Sequence, residues 1–520
     1  MLYLLLQSVF IPIILAPLVY LLGKKMPNRV GWVTSVILGY CTLLVLYSGY
    51  LKVDYIETYF WQPIGIFGLR TDGLSLPFAS IIYILSTALA IYSIPYMRHR
   101  IDEEVHSLND SAKREAAASK HGLYNALFLI YAAGMLGTVL ATNLIQFYIF
   151  FELMLIPSYF LIAEFGYGDR AKISLMYFLW THVGALLVLA GILATGFLSA
   201  SYGNTPLSFD MISVTTDGAI VNNISSGSVP LEIIRVVTVV MTIGLFVKLA
   251  AFGLHIWLPY AHAEAPTPIS ALLSPAMIGI GAYAFIRIIL YILPSGYEYV
   301  VLGVSVWGLI TMIYGGMMAL VQDDVKRLLA YSSVSQMGYI IFGIAAAYYI
   351  GVSGSIFQYV SHGTGKAILF MSAGAIIMQT GGIRSISQMG GLSKKMPLTA
   401  IAALIGFLAI IGVPPLNGFH SEWMIFFGSF AGALQEGNTT KLIITGIALA
   451  GTPLTAGYAL WTMRRIFFGQ LPDHLKNVKE PPMTIIVPLL FLAFVTLLLG
   501  IYPALLTERI FPVMESVLGR

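Results

Sequence analysis

Long apolar stretches recur along the whole chain, with short polar segments between them. A helix needs about 20 predominantly apolar residues to cross the hydrocarbon core of a bilayer. Stretches near that length predict an all-α membrane protein with fourteen transmembrane helices. The predicted spans are residues 1–23, 30–51, 74–97, 122–142, 143–165, 171–200, 233–258, 268–292, 298–322, 325–348, 351–380, 397–432, 441–468 and 483–506.

Three of the intervening segments have a pattern of their own. Residues 51–73 alternate around a glycine-containing turn, which predicts a short hairpin. The polar inner segment 98–121 predicts a short surface helix. Residues 201–232, rich in Ser, Gly and Asn, predict an irregular loop.

An internal repeat is visible in the sequence. THVGALLVLAG at 181–191 resembles SHGTGKAILFMSAG at 361–374, in equivalent places of two five-span blocks. Because five is odd, the second block enters the membrane from the opposite face, which is the inverted-repeat plan of secondary transporters. The predicted divisions are an N-terminal part with three spans and an inner loop (1–121), the first repeat (122–292), the second repeat (298–468) and a C-terminal loop with span 14 (469–520).

Spans 7 and 12 are interrupted at corresponding places in the two repeats. Span 7 runs into WLPYAHAEAPTP, and span 12 contains GVPPLNGFHSEW. Proline removes a backbone donor and clashes with the preceding helical turn. Backbone groups freed at membrane depth persist only where they line a polar cavity or are buried in protein. Paired discontinuous helices of this kind indicate a transport site.

The distribution of charge agrees with fourteen spans. Only 10% of the residues are charged and 58% are hydrophobic, against about 25% charged in a typical soluble domain. Six alternate loops with their span edges hold 19 of the 28 lysines and arginines, whereas residues 201–232 hold none. The positive-inside rule then places both termini on the outer side of the plasma (inner) membrane. The net charge of +4 is small, so binding of nucleic acid has no support.

The sequence contains no motif that would indicate a bound cofactor or metal. With Cys41 as its single cysteine, the chain can form neither an internal disulfide nor a thiolate-held metal or iron–sulfur site. No P-loop, GxSxG or HExxH motif occurs. We therefore expect no cofactor and no metal in this chain.

Four charged residues lie far from either end of a predicted span: Glu152 in span 5, Lys248 in span 7, Lys366 in span 11 and Glu422 in span 12. A charge at the bilayer centre costs about 2.5–3.5 kcal/mol on insertion scales, so each one needs a reason. Burial weakens the hold of a lysine on its proton, and a nearby carboxylate strengthens it. Two lysines and two glutamates in such places predict a switchable proton relay.

Histidines extend this row of charges. His255 follows Lys248 by seven residues, two turns along one helical face, and His362 precedes Lys366 by four. His182 takes the equivalent place in the first repeat. Neutral imidazole both accepts and donates a proton near neutral pH.

Plainer interpretations stay open for single members of the row. Glu152 alone can pair with a neighbouring helix, His255 can cap freed carbonyls, and His182 can be structural. Four further residues lie near span ends or breaks and are expected to be solvated or capping: Glu164, His262, Glu264 and His420.

Several segments of the chain resemble one known family. They are FELMLIPSYFLI, VKLAAFGLHIWLPYAHAEAPTPISALLSPAMIGIGAY, DDVKRLLAYSSVSQMGYI, SHGTGKAILF and GVPPLNGFHSEWMIFFGSF. They look like the antiporter-like subunits of respiratory complex I, which are related to subunits of multisubunit Na⁺/H⁺ antiporters and membrane-bound hydrogenases. Glu422 together with YALWTMRRIFFG is similar to the M-type (chain 4) subunit of a proton-pumping NADH:quinone oxidoreductase.

The resemblance implies roles for the residues that match. Glu152 and Lys248 would be the paired glutamate and lysine of spans 5 and 7. His362 would belong to the central hydrophilic axis, and Glu422 would be the distal carboxylate from which protons leave.

The chain departs from the family in the middle of the axis. Gly279 stands where many M-type subunits have a lysine, Gln336 replaces a common histidine, and Lys366 is more usual in sister subunits. We hypothesise that Lys366 takes over the bridging role. This pattern resembles archaeal relatives whose electron donor is a reduced deazaflavin or ferredoxin rather than NADH.

The resemblance implies a proton-translocating membrane-arm subunit that couples electron transfer to quinone with proton pumping. Expected partners are other complex I-like membrane subunits, sister antiporter-like subunits among them, within the lipid bilayer. Quinone, Fe–S clusters and flavin are expected in those partner subunits. The alternative is a subunit of a non-redox cation/proton antiporter or of a membrane-bound hydrogenase.

Overall fold

The protein is built almost entirely of helices. The computed structural model describes residues 3–51, 54–60, 65–204, 206–211, 224 and 229–518. Its main helices are α1 (Leu4–Lys25), α2 (Pro27–Leu51), α3 (Ser75–Glu104), α4 (Asp110–Leu140), α5 (Leu144–Phe165), α6 (Arg170–Gly203), α7 (Leu231–Lys248), α8 (Trp257–Glu264), α9 (Thr267–Leu290), α10 (Pro294–Leu320), α11 (Val325–Ile344), α12 (Tyr349–Gln379), α13 (Pro397–Ile411), α14 (Asn417–Gln435), α15 (Thr439–Gly451), α16 (Pro453–Phe467), α17 (Met483–Ile501) and α18 (Ala504–Leu518).

Ten helical segments among the described residues are long and apolar enough to cross a membrane. They are α1 to α6, α9, α10, α15 together with α16, and α17. Each carries an apolar stretch near the length that a bilayer requires. The prediction of an all-α membrane protein is therefore confirmed.

The predicted hairpin between the second and third spans is also confirmed. Strands β1 (Tyr55–Phe60) and β2 (Ile66–Thr71) pair antiparallel along their whole length. The Glu57 carboxylate accepts hydrogen bonds from the backbone N–H groups of Leu5 (3.0 Å) and Leu6 (2.9 Å). N–H groups in the first turn of a helix have no partner within that helix, so the hairpin caps α1.

The prediction of a short surface helix at 98–121 is wrong, because two long helices extend into this segment. α3 continues to Glu104 and α4 begins at Asp110. Most residues here are good helix formers, and the Lys120 ammonium lies 2.9 Å from the Glu104 carboxylate. Of the predicted irregular loop 201–232, residues 205, 212–223 and 225–228 lie outside the described residues.

The centre of the protein is formed by α9 and α12. The most apolar stretch of α9 is buried throughout, and α12 is buried from Gly351 to Ile377. A helix that is covered on all sides belongs in the middle of a bundle. Two turns of α9 are π-helical, Leu273–Met277 and Phe285–Leu290.

Both predicted helix breaks are present. α7 ends at Lys248, the chain turns through Ala250 (φ 52°) and Gly253 (φ 83°), and α8 begins at Trp257. α13 ends before Gly412 (φ 77°), a cis Pro414–Pro415 bond follows, and α14 begins at Asn417. Tertiary contacts satisfy backbone groups freed by the first break: indole Nε1 groups of Trp257 and Trp307 donate to carbonyls of Val247 (3.0 Å) and Phe252 (2.9 Å).

Two features near the C-terminus add to the prediction. The predicted span 441–468 is confirmed as one candidate span, and it consists of α15 and α16, which are separated at Thr452. After the last span the chain forms a further helix, α18, with Ile510 and Met514 buried. Their spacing of four residues places both on one face of α18.

Candidate functional site

Glu152 of α5 lies at one end of the row, beside two basic side chains. One carboxylate oxygen lies 3.2 Å from Nδ1 of His182 on α6, and the other is buried without a hydrogen-bond partner. Lys248 is the last residue of α7, is 3% exposed, and is near enough to Glu152 for their charges to interact. Its ammonium also lies 4.9 Å from the Phe151 ring centre. The structure thus brings together the paired glutamate and lysine, with His182 as a third member.

His255 lies within the first break, between the end of α7 at Lys248 and the start of α8 at Trp257. Its ring centre is 5.0 Å from Tyr314 of α10 and 6.3 Å from Tyr331 of α11. The expectation that His255 shares a helical face with Lys248 is wrong, because the helix stops at Lys248 and the chain turns. His255 is nevertheless 7% exposed, and its Nδ1 has no hydrogen-bond partner.

His362 and Lys366 lie one turn apart on α12, as predicted, and both are fully buried. The Lys366 ammonium donates to the carbonyl of Leu329 (3.1 Å) and contacts the Ser332 hydroxyl. Among the residues that the structure describes, neither ring nitrogen of His362 has a hydrogen-bond partner. A buried imidazole without a fixed partner is free to exchange protons with a neighbour.

His262 is a member of the row that the sequence analysis missed. The expectation of a solvated or capping residue is wrong, because His262 is fully buried and neither ring nitrogen has a hydrogen-bond partner. Its ring stacks on Phe370 of α12 at 5.1 Å, within reach of the charges of Lys326 and Lys366. The signal was its spacing, seven residues after His255, but the prolines that follow resemble a span end.

Lys326 was also missed, since the sequence analysis counted it among the loop lysines. It is 1% exposed, and its ammonium donates to the carbonyl of Ala263 (3.4 Å) and contacts that of Ala265. These carbonyls end α8, where a cation is favoured by the helix dipole. No sequence signal separates such a lysine from one that faces water.

Gly279 is matched to an aromatic side chain on α12. A Cβ atom at this position would lie less than 3.0 Å from the Tyr359 ring. Tyr359 is fully buried, stacks on Phe78 at 4.1 Å and donates to the Ala276 carbonyl (3.1 Å). The space beside Gly279 is therefore filled by the Tyr359 ring.

Glu422 of α14 lies at the far end of the row. Its carboxylate packs against the second break, where a Cβ on Gly412 would lie 2.8 Å from Oε2, and Oε1 is buried without a hydrogen-bond partner. Next to it, the Ser421 hydroxyl donates to Oε1 of Gln358 (2.5 Å), and Nε2 of Gln358 donates to Oε1 of Gln336 (2.5 Å). A hydrogen-bonded series of hydroxyl and amide groups therefore starts at Ser421, the residue before Glu422 in the sequence.

A buried ion pair outside the row also escaped the sequence analysis. Nη2 of Arg287, on α9, donates to both carboxylate oxygens of Asp72 (2.8 and 2.7 Å), just after β2. Asp72 also accepts from the N–H groups that start α3. Burial raises the pKa of Asp72, but the Arg287 and Arg70 guanidinium groups outweigh it and lower that pKa to about 2. This pair ties the hairpin to α9.

The row combines buried ammonium, imidazole and carboxylate groups. Among the residues that the structure describes, no group of three or more His, Cys, Asp or Glu side chains is placed to hold a metal ion. Two lysines, three histidines and two carboxylates thus make up the row, and ionisable groups buried inside a membrane domain are candidates for a functional site.

Comparison with known proteins gives the family of the chain. The family model described as "NADH:quinone oxidoreductase/Mrp antiporter, TM" matches residues 141–448, and the one described as "NADH-Ubiquinone oxidoreductase (complex I), chain 5 N-terminus" matches residues 61–106. Subunit M of the F(420)H(2) dehydrogenase of Methanosarcina mazei is 32% identical, over 92% of this chain and 90% of the relative. Subunit M of the NADH-quinone oxidoreductase of Rhodobacter capsulatus is 31% identical, over 94% and 90%.

The fold has a close counterpart in a solved structure. A chain of respiratory complex I from Thermus thermophilus superposes with a TM-score of 0.82 over 99% of both chains, at 24% identity. The resemblance found in the sequence is thus confirmed, and the first family model spans more than half of the 520 residues. The chain belongs to the NADH:quinone oxidoreductase/Mrp antiporter transmembrane family, whose members include the antiporter-like subunits of complex I.

Proposed function

We propose that this chain is a proton-translocating membrane-arm subunit of a complex I-like quinone oxidoreductase. The observation that carries the proposal is the buried row itself: Glu152 with Lys248 at one end, His362 with Lys366 in the middle, and Glu422 at the other end. Buried charges are costly in a bilayer, and Lys248 and Glu422 flank the two helix breaks, where discontinuous helices form the transport sites of secondary transporters.

We further propose a role for each of the sequence-predicted site residues. Protons enter from the inner side near Lys248, whose affinity for a proton is set by Glu152. They pass His255, His362 and Lys366 and leave outward from Glu422. His262 belongs in this path as well, since its ring lies near both Lys366 and His362.

A topology of fourteen spans with two inverted repeats is part of the same proposal. Four further helical segments would be the remaining spans, in addition to the ten apolar ones. They are α7 with α8, α11, α12, and α13 with α14. The repeats would then be 122–292 and 298–468, each with one discontinuous helix, preceded by 1–121 and followed by 469–520. Both termini would lie on the outer side of the plasma membrane.

Electron transfer would take place outside this chain. The partners would be sister antiporter-like subunits and the subunits that hold flavin, Fe–S clusters and quinone. The relatives named above are subunits of an F(420)H(2) dehydrogenase and of an NADH-quinone oxidoreductase, so reduced deazaflavin, NADH and ferredoxin are the donors to test. Quinone reduction by the purified complex with one of these donors would distinguish it from a non-redox antiporter.

Replacement of Lys248 by alanine tests the function directly. In vesicles that carry the assembled complex, Lys248→Ala should abolish donor-driven proton pumping, measured with a pH-sensitive dye. Lys441→Ala is the matched control, because Lys441 is also buried but pairs with Glu436 at 2.7 Å, away from the row. Normal pumping with normal quinone reduction in Lys248→Ala would refute the proposal.

A further inference from the structure

Polar groups continue from Lys366 along one face of α11. Ser332, which contacts the Lys366 ammonium, and Gln336 are four residues apart and therefore lie on the same helical face. Gln336 is joined through Gln358 to Ser421, the residue next to Glu422. All these groups except Glu422 are at most 2% exposed. This series of polar groups is interrupted at one place, between the Ser332 hydroxyl and the groups near Glu422.

Tyr458 of α16 occupies that gap. The residue is 1% exposed, and its hydroxyl is buried without a hydrogen bond of good geometry. The hydroxyl lies among the side chains of Ser332, Gln336 and Thr455, and it is within reach of the Glu422 charge. A buried hydroxyl normally has a partner. The Tyr458 hydroxyl has three such neighbours and no single bond that fixes its direction, so it can turn from one to another.

The hydroxyl groups of three other buried tyrosines each have a hydrogen-bond partner. The hydroxyl of Tyr339 on α11 lies 3.2 Å from the Thr455 hydroxyl. Tyr297 of α10 donates to the Ile344 carbonyl at 2.8 Å. Tyr359 donates to the Ala276 carbonyl at 3.1 Å. Each of these hydroxyls is committed to a partner, whereas Tyr458 is not.

We propose that the Tyr458 hydroxyl is a proton-relay group between Lys366 and Glu422. The inference rests on the proposed function, because it requires protons to leave from Glu422. The Lys366 ammonium gives one proton to Ser332, whose hydroxyl passes its own proton to Tyr458. Tyr458 passes its own proton, through a water molecule, to the Glu422 carboxylate. One proton leaves Lys366, one arrives at Glu422, and both hydroxyls return to their neutral form.

The amide pair has a positioning role in this scheme. An amide transfers protons poorly, but it holds hydroxyl groups in fixed directions through its donor and its acceptor. Gln358, held by Gln336, thus fixes the direction of the Ser421 hydroxyl, and Gln336 borders the gap that Tyr458 fills. The histidine common at position 336 in the family would carry a proton itself. Tyr458 supplies the exchangeable proton that Gln336 lacks.

The test removes one oxygen atom from the assembled complex. Tyr458→Phe should slow donor-driven proton pumping in vesicles by roughly tenfold or more, since positioned proton-transfer groups contribute large factors. The remaining pumping should slow further in D₂O, because proton transfer becomes limiting. The control Tyr297→Phe removes an equally buried hydroxyl that bonds only to the backbone, and it should pump normally.

One more variant, compared with Lys248→Ala, separates the possible outcomes. Ser332→Ala removes the preceding hydroxyl and should reproduce the defect, also where Tyr458→Phe assembles poorly. If Tyr458→Phe and Ser332→Ala both pump as well as Tyr297→Phe does, while Lys248→Ala does not pump, the relay is overturned and the proposed function stands. If Lys248→Ala pumps normally, the proposed function itself fails.

Discussion

The fit between Gly279 and Tyr359 predicts a large effect from a very small substitution. In Gly279→Ala the added methyl group meets the Tyr359 ring at less than 3.0 Å, a separation that real Cβ atoms essentially never show. The ring cannot move easily, because it stacks on Phe78 at 4.1 Å and its hydroxyl donates a hydrogen bond to the Ala276 carbonyl. The methyl group must therefore displace a side chain that is fixed at both ends.

The magnitude follows from the contacts that are strained or lost. Overpacking costs about 1–3 kcal/mol, the aromatic pair about 0.5–1.5 kcal/mol, and the hydrogen bond about 0.5–1.5 kcal/mol. We expect Gly279→Ala to destabilise the protein by about 2–6 kcal/mol. Gly279→Lys should be worse, because its charge would also enter this fully buried place.

A double-mutant cycle separates this clash from other effects. Tyr359→Ala removes the ring and costs stability on its own, through the cavity it leaves. In that background Gly279→Ala should cost little, whereas in a Tyr359→Phe background, which keeps the ring, it should stay damaging. The thermal midpoint of the assembled complex in detergent, followed on native gels, measures the effect. An unchanged midpoint in Gly279→Ala, or equal losses in all backgrounds, would refute the reasoning.

Two other parts of the structure give predictions of stability and transport. Arg287→Ala leaves the Asp72 carboxylate buried without its main partner, so the complex should lose about 3–5 kcal/mol of stability, seen as a lower thermal midpoint. Because the pKa of Asp72 is lowered to about 2 in the folded state from near 3.9 in an unfolded chain, its stabilising contribution is complete above about pH 4 and is lost as the pH falls from there towards 2. Acid unfolding of Arg287→Ala should therefore be less steep across this window, and an identical curve would contradict the assignment. Gln336→Leu should weaken proton pumping, because it removes the hydrogen bond to Gln358. Gln336→His should preserve proton pumping. Equal pumping by both variants would show that the amide has no part in transport.

The sequence was informative where chemistry conflicts with environment. Glu152, Lys248, Lys366 and Glu422 stand out because a charge inside an apolar span is costly. The two helix breaks stand out because proline cannot continue a helix. Signals of this kind depend only on local composition, and they led to the ends of the row and to the family.

Residues whose surroundings come from other helices were not predictable. His262 looked like a residue at a span end, and Lys326 looked like one more loop lysine. Both are buried because α8 restarts after the first break and ends against α11. The face shared by Lys248 and His255 was lost for the same reason, since a turn replaces the helix between them.

By itself, the sequence determined three things: that the chain is a membrane protein, which positions carry charge, and at which positions two helices break. Hydropathy, charge and proline act locally along the chain, so the sequence alone reveals them. Only the tertiary structure decided which of those groups meet. Gly279 lies against Tyr359, Tyr458 lies beside Ser332, and Arg287 pairs with Asp72, in each case between segments that are far apart in sequence. Contacts of this kind depend on side-chain shape at the places where helices pack, and no periodicity along one chain contains that information.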